Sequence, residues 1–385
     1  MRLLIITNIP TPYRIAFFNV LNQELLKVNG KLKVLYCSYN EPNRFWDIDF
    51  KDQEFDYSIL KGFHYNFENF FLHFNPSVVR ETKNFNPTCI LYAGSWNMPT
   101  VIYSLLWNSF FKSNVKKVFW SEGHDGSVLH ASGLIPKIRK RILNYFDGFA
   151  VPNGRSESYL FENLKVDRKP IVLLPNTVDG EFFTKPASWS FEKTNQVKEE
   201  FNIPTASKII IQVAQIDDRK GIKELVLYWE KLSENLKGNY HLVLVGEGSL
   251  REQLKQQCTE KNINTIHFLG NQPKEKVRDL LFSSNIFLLL TKNDPNPLTL
   301  IEASFAKLPI MTTKFAGNCH EIILKNDNGV ILSEISFNAF KEGFEKIKIL
   351  ALNTEAGEIS FLNVKKNFDI KNVSQNLIEQ IKSYL

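Results

Sequence analysis

The residues best placed to do chemistry lie in three short segments of the second half of the chain. VAQIDDRKGIKEL (213–225) leaves an apolar run and sets Arg219 and Lys220 just before Gly221 and a helical stretch. VLVGEGSLREQL (243–254) passes from apolar residues into Gly246-x-Gly248 and a helix expected to open at Ser249, with Arg251 in its first turn. Glycines let the backbone approach a phosphate, a helix start offers unpaired N–H groups and a positive dipole end, and a guanidinium adds charge-assisted bonds. The third segment, TKNDPNPLTLIEASFAKLPIMTT (291–313), holds Asp294 and Glu302 eight residues apart, with a proline-bearing loop and a helix start at Leu298 between them. Together these residues can grip a polyphosphate and present carboxylates to hydroxyl groups. Taken singly, each also has a plainer reading: a tight turn, a solvated basic turn, and a glutamate that caps helix amides.

Such residues need a scaffold, and the spacing of apolar runs supplies one. Runs rich in Ile, Val, Leu and Phe recur at 3–7, 32–37, 89–93, 117–121, 148–151 and 171–175, and again at 208–214, 241–246, 265–270, 285–290, 308–313 and 329–332. Stretches of helical character separate many of them, and the runs are apolar on both faces, as in a covered parallel sheet. The expected fold class is therefore α/β, with two Rossmann-like domains in tandem. The expected division is an N-terminal domain over 1–185, a linker over 186–207 with Pro186, Pro204 and many charges, a C-terminal domain over 208–368, and a terminal helix within 369–385 that packs back on the first domain. In open α/β sheets ligands bind beyond the carboxyl ends of the strands, which is where all three segments fall.

The chain's 385 residues, 43% hydrophobic with a formal net charge of +6, exclude global disorder and suit two or three domains. Residues 1–185 carry 22 Lys+Arg against 17 Asp+Glu, whereas 186–385 carry 25 against 24, so the excess lies in the first half. That mild balance suits an anionic membrane surface or a phosphate-bearing ligand and falls short of a nucleic-acid footprint. Cys37, Cys89, Cys258 and Cys319 form no Cys-x-x-Cys pair, and no signal-peptide pattern opens the chain, so a cytoplasmic protein with free thiols is expected. The uncharged stretch 84–111 is long enough to cross a bilayer, but Pro87, Pro99, Gly94 and several asparagines interrupt it; it reads as a buried strand followed by an apolar helix.

Read together, the three segments resemble the retaining nucleotide-sugar glycosyltransferases of family 4, which have the GT-B fold of two Rossmann-like domains facing across a cleft. The resemblance is collinear over 208–332: Ala214 to Gly221 stands at the family's Gly-Arg-Leu-x-x-x-Lys-Gly turn, Gly246 to Arg251 at its Gly-x-Gly-x-x-Arg turn, Asp294 to Glu302 at its spaced glutamate pair, and Gly317 to Glu321 at its Gly-Gly-x-x-Glu loop. ITNIPTPYRIAFFNVL (6–21) looks like the N-terminus of the branch that builds bacterial surface polysaccharides. FWSEGHDG (119–126) occupies the place of the family's His loop, and IVLLPNTVD (171–179) is similar to its Pro-Asn-x-Val-Asp turn. Three positions depart from the pattern: Gln215 replaces the arginine, Asp294 is one methylene shorter than glutamate, and Asn318 replaces the second glycine. Arg219 or Arg251 is expected to offset the first change.

The resemblance implies a retaining, metal-independent sugar transfer from a nucleoside-diphosphate sugar to a saccharide or lipid-linked acceptor, as in capsule, O-antigen or lipopolysaccharide synthesis. It assigns His124, Asp294 and Glu302 to catalysis. Gln215, Arg219, Lys220, Gly246, Gly248, Arg251, Asn296, Pro297, Leu298, Thr299 and Glu302 would bind the donor, and Tyr13, Arg14, Glu122 and Asp125 the acceptor. No cofactor is expected beyond the nucleotide-sugar substrate. Asp47-Ile48-Asp49 matches a metal-binding Asp-x-Asp by letter only, so no metal site is assigned and cations and helix ends are expected to neutralise the diphosphate. The cluster Lys137, Arg139, Lys140 and Arg141 in LIPKIRKRIL (134–143), preceded by the apolar helix 98–111, would let the protein rest peripherally on an anionic membrane. Alternative readings are a nucleotide-sugar epimerase of the same fold and a non-catalytic sugar-nucleotide binding protein, while nucleic acid is not expected as a partner.

Overall fold

Alternation along the apolar runs decides the architecture. In the first strand Leu3 and Ile5 pack into one core and Leu4 and Ile6 into another; at the start of the second half Ile209 and Ile211 face one core and Ile210 the other. A strand apolar on both faces is stable only when helices cover both sides, which parallel crossovers provide. The computed structural model describes residues 1–41, 50–67, 70–111, 114–123, 133–325 and 327–384.

The first sheet contains β1 (Arg2–Thr7), β2 (Lys31–Tyr36), β3 (Asp56–Ile59), β6 (Cys89–Tyr92), β7 (Lys116–Trp120), β8 (Gly148–Val151) and β9 (Ile171–Leu173), in the order β3-β2-β1-β6-β7-β8-β9 and parallel throughout. The intervening β4 (Phe63–Phe67) and β5 (Phe70–Phe74) form a separate antiparallel hairpin. The second sheet contains β10 (Lys208–Val213), β11 (Tyr240–Val245), β12 (Ile266–Gly270), β13 (Ile286–Leu289), β14 (Ile310–Thr313) and β15 (Gly329–Leu332), in the order β12-β11-β10-β13-β14-β15, again all parallel. These are two Rossmann-like domains. In both sheets the order reverses beside the first strand of the unit, β1 or β10, which is the switch point where such sheets bind ligands.

The chain divides into Met1–Thr177 with Ile370–Leu385, and Val178–Asp369. The stretch 186–207, expected as a linker, instead belongs to the second unit. Ser190 caps the helix Phe191–Glu200 by accepting from the Lys193 amide at 3.1 Å, Val197 and Ile203 are buried in the core, and Trp189 meets Phe282 edge-on at 5.1 Å. Its polar composition reflects one solvated helix face rather than a solvated chain. The last helix, Ile370–Tyr384, buries Val373, Leu377, Ile378 and Ile381 in the first unit's core. Gln375 donates to Glu24 at 2.8 Å, and the Gln380 side chain accepts from the Leu173 amide at 2.9 Å, which occupies the free edge of β9.

The uncharged stretch 84–111 forms β6 and the helix Pro99–Phe111, and among the described residues no helix is long and apolar enough to cross a membrane. The four cysteines are buried and form no disulfide with one another.

Candidate functional site

In the second unit the loops after β10, β11, β13 and β14 are tied to one another. After β10, the Asp217 side chain accepts from the Lys220 amide at 3.0 Å and closes a short turn, Asp218–Lys220. Gly221 then starts the helix Ile222–Lys231 with φ +66°, and a Cβ there would overlap the Leu290 carbonyl, so this turn accepts only glycine. Buried Gln212 donates to the Lys220 carbonyl at 3.2 Å and accepts from the Leu290 amide at 3.4 Å, fixing the turn against the end of β13.

Lys220, on that turn, forms an ion pair with Asp294 in the loop after β13, and both side chains are largely buried. Asp294 also accepts from the Asn296 amide at 3.4 Å, and its carbonyl accepts from Gly317 at 2.8 Å. The Asn318 amide group donates to the Pro297 carbonyl at 3.2 Å, so the 317–318 loop clasps the loop that carries Asp294. A Cβ at Gly317 would collide with the Pro295 carbonyl. Both polar atoms of the Asn296 side chain are buried without a hydrogen-bond partner, as is the Asn318 side-chain oxygen. Unpaired buried polar atoms are costly, and a ligand able to donate and accept hydrogen bonds here removes that cost.

Leu298 and Thr299 open the helix Leu298–Phe305, whose N-terminal residue Pro297 provides no side-chain cap. Glu302 lies in its second turn and makes no capping bond, so the capping reading does not hold. Burial pushes its carboxyl up to about 7, with Lys274 pulling in the opposite direction. Arg219 donates to Gln215 at 3.3 Å and to the Asn293 carbonyl at 3.2 Å, which places a guanidinium beside the position where the family pattern has its arginine.

Gly246 and Gly248 pack against the backbone of Ala214 and Ile216, so the two glycine-bearing loops lie side by side. The helix after them begins at Arg251 rather than Ser249, with Leu250 in front of it. Arg251 is engaged by Glu252 at 2.6 Å and Glu247 at 3.7 Å, so it is not a free cation at the helix start.

The first unit has its own site, a cavity of about 490 Å³ at the carboxyl ends of its central strands. Tyr13, Arg14 and Glu122 line it, together with Asn8, Glu41, Trp96, Trp120 and Arg139. Arg14 stacks over Trp120 at 4.8 Å, donates to Thr7 at 2.7 Å and the Ala93 carbonyl at 2.9 Å, and meets Glu122 at 3.6 Å. Burial works against its charge, but Tyr13 and Glu122 more than compensate, and its pKa is raised. Polar atoms of Asn8, Thr11, Arg14, Trp120, Ser121, Glu122 and Arg139 are buried without hydrogen-bond partners.

Asn8, Glu41, Trp96 and Trp120 were not singled out in the sequence. Each follows or ends a strand, which is a positional signal, but nothing local marks any of them as facing a cavity. Arg139, read as one of a basic surface cluster, turns inward, whereas Lys137 and Arg141 are exposed. His124 and Asp125 lie outside the described residues, as do Asp47 and Asp49. Among the described residues no three His, Cys, Asp or Glu side chains gather as metal ligands.

Residues 193–354 match the family model for glycosyl transferases group 1. Among curated proteins the chain is similar to N-acetyl-alpha-D-glucosaminyl L-malate synthase of Bacillus anthracis, 26% identical over 220 residues, which are 56% of this chain and 54% of that protein. It is also similar to the lipopolysaccharide glucosyltransferase WaaG of Escherichia coli, 26% identical over 158 residues, 40% of each chain. The chain spans about half the length of such relatives, or less. Among solved structures, Anabaena Alr3699/HepE in complex with UDP aligns with a TM-score of 0.74 and 13% identity over 100% of both chains. The shared fold is GT-B.

Proposed function

We propose that this chain is a retaining glycosyltransferase that moves a sugar from a nucleoside-diphosphate sugar to a saccharide or lipid-linked saccharide acceptor in surface-polysaccharide synthesis. The observation that carries this reading is the convergence of Lys220, Asp294 and the Leu298 helix start in one tied set of strand-end loops, inside the segment that matches the glycosyl transferases group 1 model. Lys220, Arg219 and the uncapped amides at Leu298 and Thr299 neutralise the leaving diphosphate without a metal cofactor. Gly246 and Gly248 let the backbone close on the nucleotide, and Gln215 holds Arg219 in place. Glu302 accepts the ribose hydroxyls, while Asp294 with the backbone after Asn296 positions the sugar. Arg251 supports this surface through its glutamates rather than by reaching the phosphate. Tyr13, Arg14 and Glu122 receive the acceptor in the cavity of the first unit, where buried unpaired polar atoms and two indoles suit a saccharide. His124 and Asp125 are assigned by the resemblance alone. The protein works at the cytoplasmic face of an anionic membrane, docked through exposed apolar and basic residues of the first unit.

The UDP of the Anabaena neighbour makes UDP the first nucleotide to try. Thermal shifts with nucleoside diphosphates and their sugars test the donor site; a ligand at 100 times its Kd should stabilise the protein by roughly 2.7 kcal/mol. Release of nucleoside diphosphate from the best donor sugar tests turnover. Glu302→Ala should weaken nucleotide binding by about 10- to 100-fold, as expected for loss of hydrogen bonds to a charged group, and remove most turnover. Stabilisation by no nucleoside diphosphate would overturn the reading, and full activity in Glu302→Ala would overturn that residue's role.

A further inference from the structure

We propose that the acceptor carries an anionic group, a carboxylate or a phosphate, which Arg139 binds inside the cavity of the first unit. The inference rests on the reading of that cavity as the acceptor site, and it adds the chemical class of what enters. Among the described residues four charged side chains line the cavity: Arg14, Arg139, Glu41 and Glu122. Arg14 and Glu122 face each other at 3.6 Å, and Arg14 is also tied to Thr7 and the Ala93 carbonyl. Glu41 is 7% exposed and bonded to the ring of buried His73 at 3.3 Å. Among the described residues no carboxylate lies within ion-pair distance of Arg139.

The surroundings of Arg139 are shaped for a guanidinium all the same. It is carried by the helix Leu134–Leu143 and lies over the rings of Tyr159 at 5.2 Å and Trp96 at 5.9 Å. One Nη donates to the Tyr159 hydroxyl at 3.2 Å, and the other lies close enough to Gly123 that a Cβ there would come within 3.1 Å. Its Nε is buried without a hydrogen-bond partner. Gly123 adjoins Glu122 in sequence, so Arg14 and Arg139 flank the same two-residue segment after β7, the first ion-paired with Glu122 and the second without a carboxylate partner among the described residues. Burial also lowers the pKa of Arg139, since Tyr159 supplies only partial compensation. A cation withdrawn from water gains most from an anion that accepts its planar fork of N–H donors, and both carboxylates and phosphates match that fork.

Three probes separate the possibilities in ligand-observed NMR with the full-length protein: methyl glucoside, methyl glucuronide and glucose 6-phosphate. At least one charged probe should bind about tenfold more tightly than the neutral one. A preference for the glucuronide marks a uronate-bearing acceptor, and a preference for the sugar phosphate marks a phosphate-bearing one. Arg139→Gln should erase the preference while leaving methyl glucoside binding and UDP binding intact, and Arg139→Lys should retain part of it. Equal binding of all three probes by the wild type, or a preference that survives in Arg139→Gln, would overturn the anionic subsite and leave the acceptor reading standing. Binding of none of the three while UDP still binds would instead overturn the acceptor reading of the cavity, and the subsite with it.

Discussion

Glu302 occupies a position where a charge is expensive, because burial of its carboxyl outweighs the pull of Lys274 toward ionisation. A carboxyl raised from 4.5 to about 7 binds its proton more tightly in the folded chain than in the unfolded one. Between those two values the folded state therefore holds more protons, and stability falls as pH rises through the window, by up to about 3 kcal/mol. Urea unfolding between pH 4.5 and 8 should show that decline in the wild type and a flatter profile in Glu302→Gln. The same titration has a functional face. A carboxylate accepts two ribose hydroxyls better than a carboxylic acid does, so UDP affinity should rise from pH 6 to pH 8 in the wild type and stay level in Glu302→Gln. Parallel profiles for the two proteins would mean that Glu302 is not the titrating group. The sequence made Glu302 a candidate through its spacing from Asp294, but its freedom from capping depends on Pro297 and on how deeply the helix start is packed, which no local pattern encodes.

At the scale of elements, legibility followed burial. Every strand covered on both faces announced itself as an apolar run, and β8 and β15 coincide with their runs residue for residue. The edge strand β3 and the hairpin β4–β5 did not: β3 and β4 alternate between polar and apolar residues, and Phe63, Tyr65 and Phe74 of the hairpin are exposed. Nor did the boundary between units, which is set by long-range packing of Val197, Ile203 and Phe183 rather than by prolines and charges. One feature of the second sheet was equally silent in sequence. His241 on β11 and His267 on the edge strand β12 lie 2.8 Å apart, nitrogen to nitrogen, with their rings nearly parallel. Burial, followed by repulsion from His241, pushes His267 down to about 4. The unfolded chain thus takes up this proton at higher pH than the folded one. The stabilising neutral pair is fully present above about 6.5 and is lost as pH falls toward 4, by up to about 3 kcal/mol. Chemical denaturation at pH 4.5, 5.5, 6.5 and 7.5 should show acid sensitivity in the wild type that His267→Gln reduces; an unchanged slope in the variant would locate the sensitivity elsewhere.

For the molecule as a whole, the excess positive charge of the first half gains meaning from where its apolar side chains lie. On the helix Pro99–Phe111, Tyr103, Leu106 and Phe110 recur at i, i+3 and i+7 and are exposed by 37%, 38% and 74%, with Phe111 beside them at 71%. Phe74 of the hairpin meets Tyr103 edge-on at 5.7 Å, and Phe63, paired with Phe74 across the strands, extends the same aromatic face. Leu134, Ile135 and Ile138 are exposed on the helix that also shows Lys137 and Arg141 to solvent. A soluble domain rarely leaves so many aromatics uncovered without a use for them, and aromatic side chains with nearby cations are what the interface of an anionic bilayer favours. Two contributions should then separate experimentally. Co-sedimentation with vesicles containing anionic lipid should exceed that with neutral vesicles, and raising salt from 0.15 to 0.5 M should remove most of the difference, since screening shortens the reach of surface charges. Phe110→Ser with Phe111→Ser should lower binding to both kinds of vesicle at every salt concentration, whereas Lys137→Gln with Arg141→Gln should lower only the salt-sensitive part. Equal recovery in the supernatant with and without anionic lipid would leave this aromatic face without a membrane role and turn attention to a protein partner.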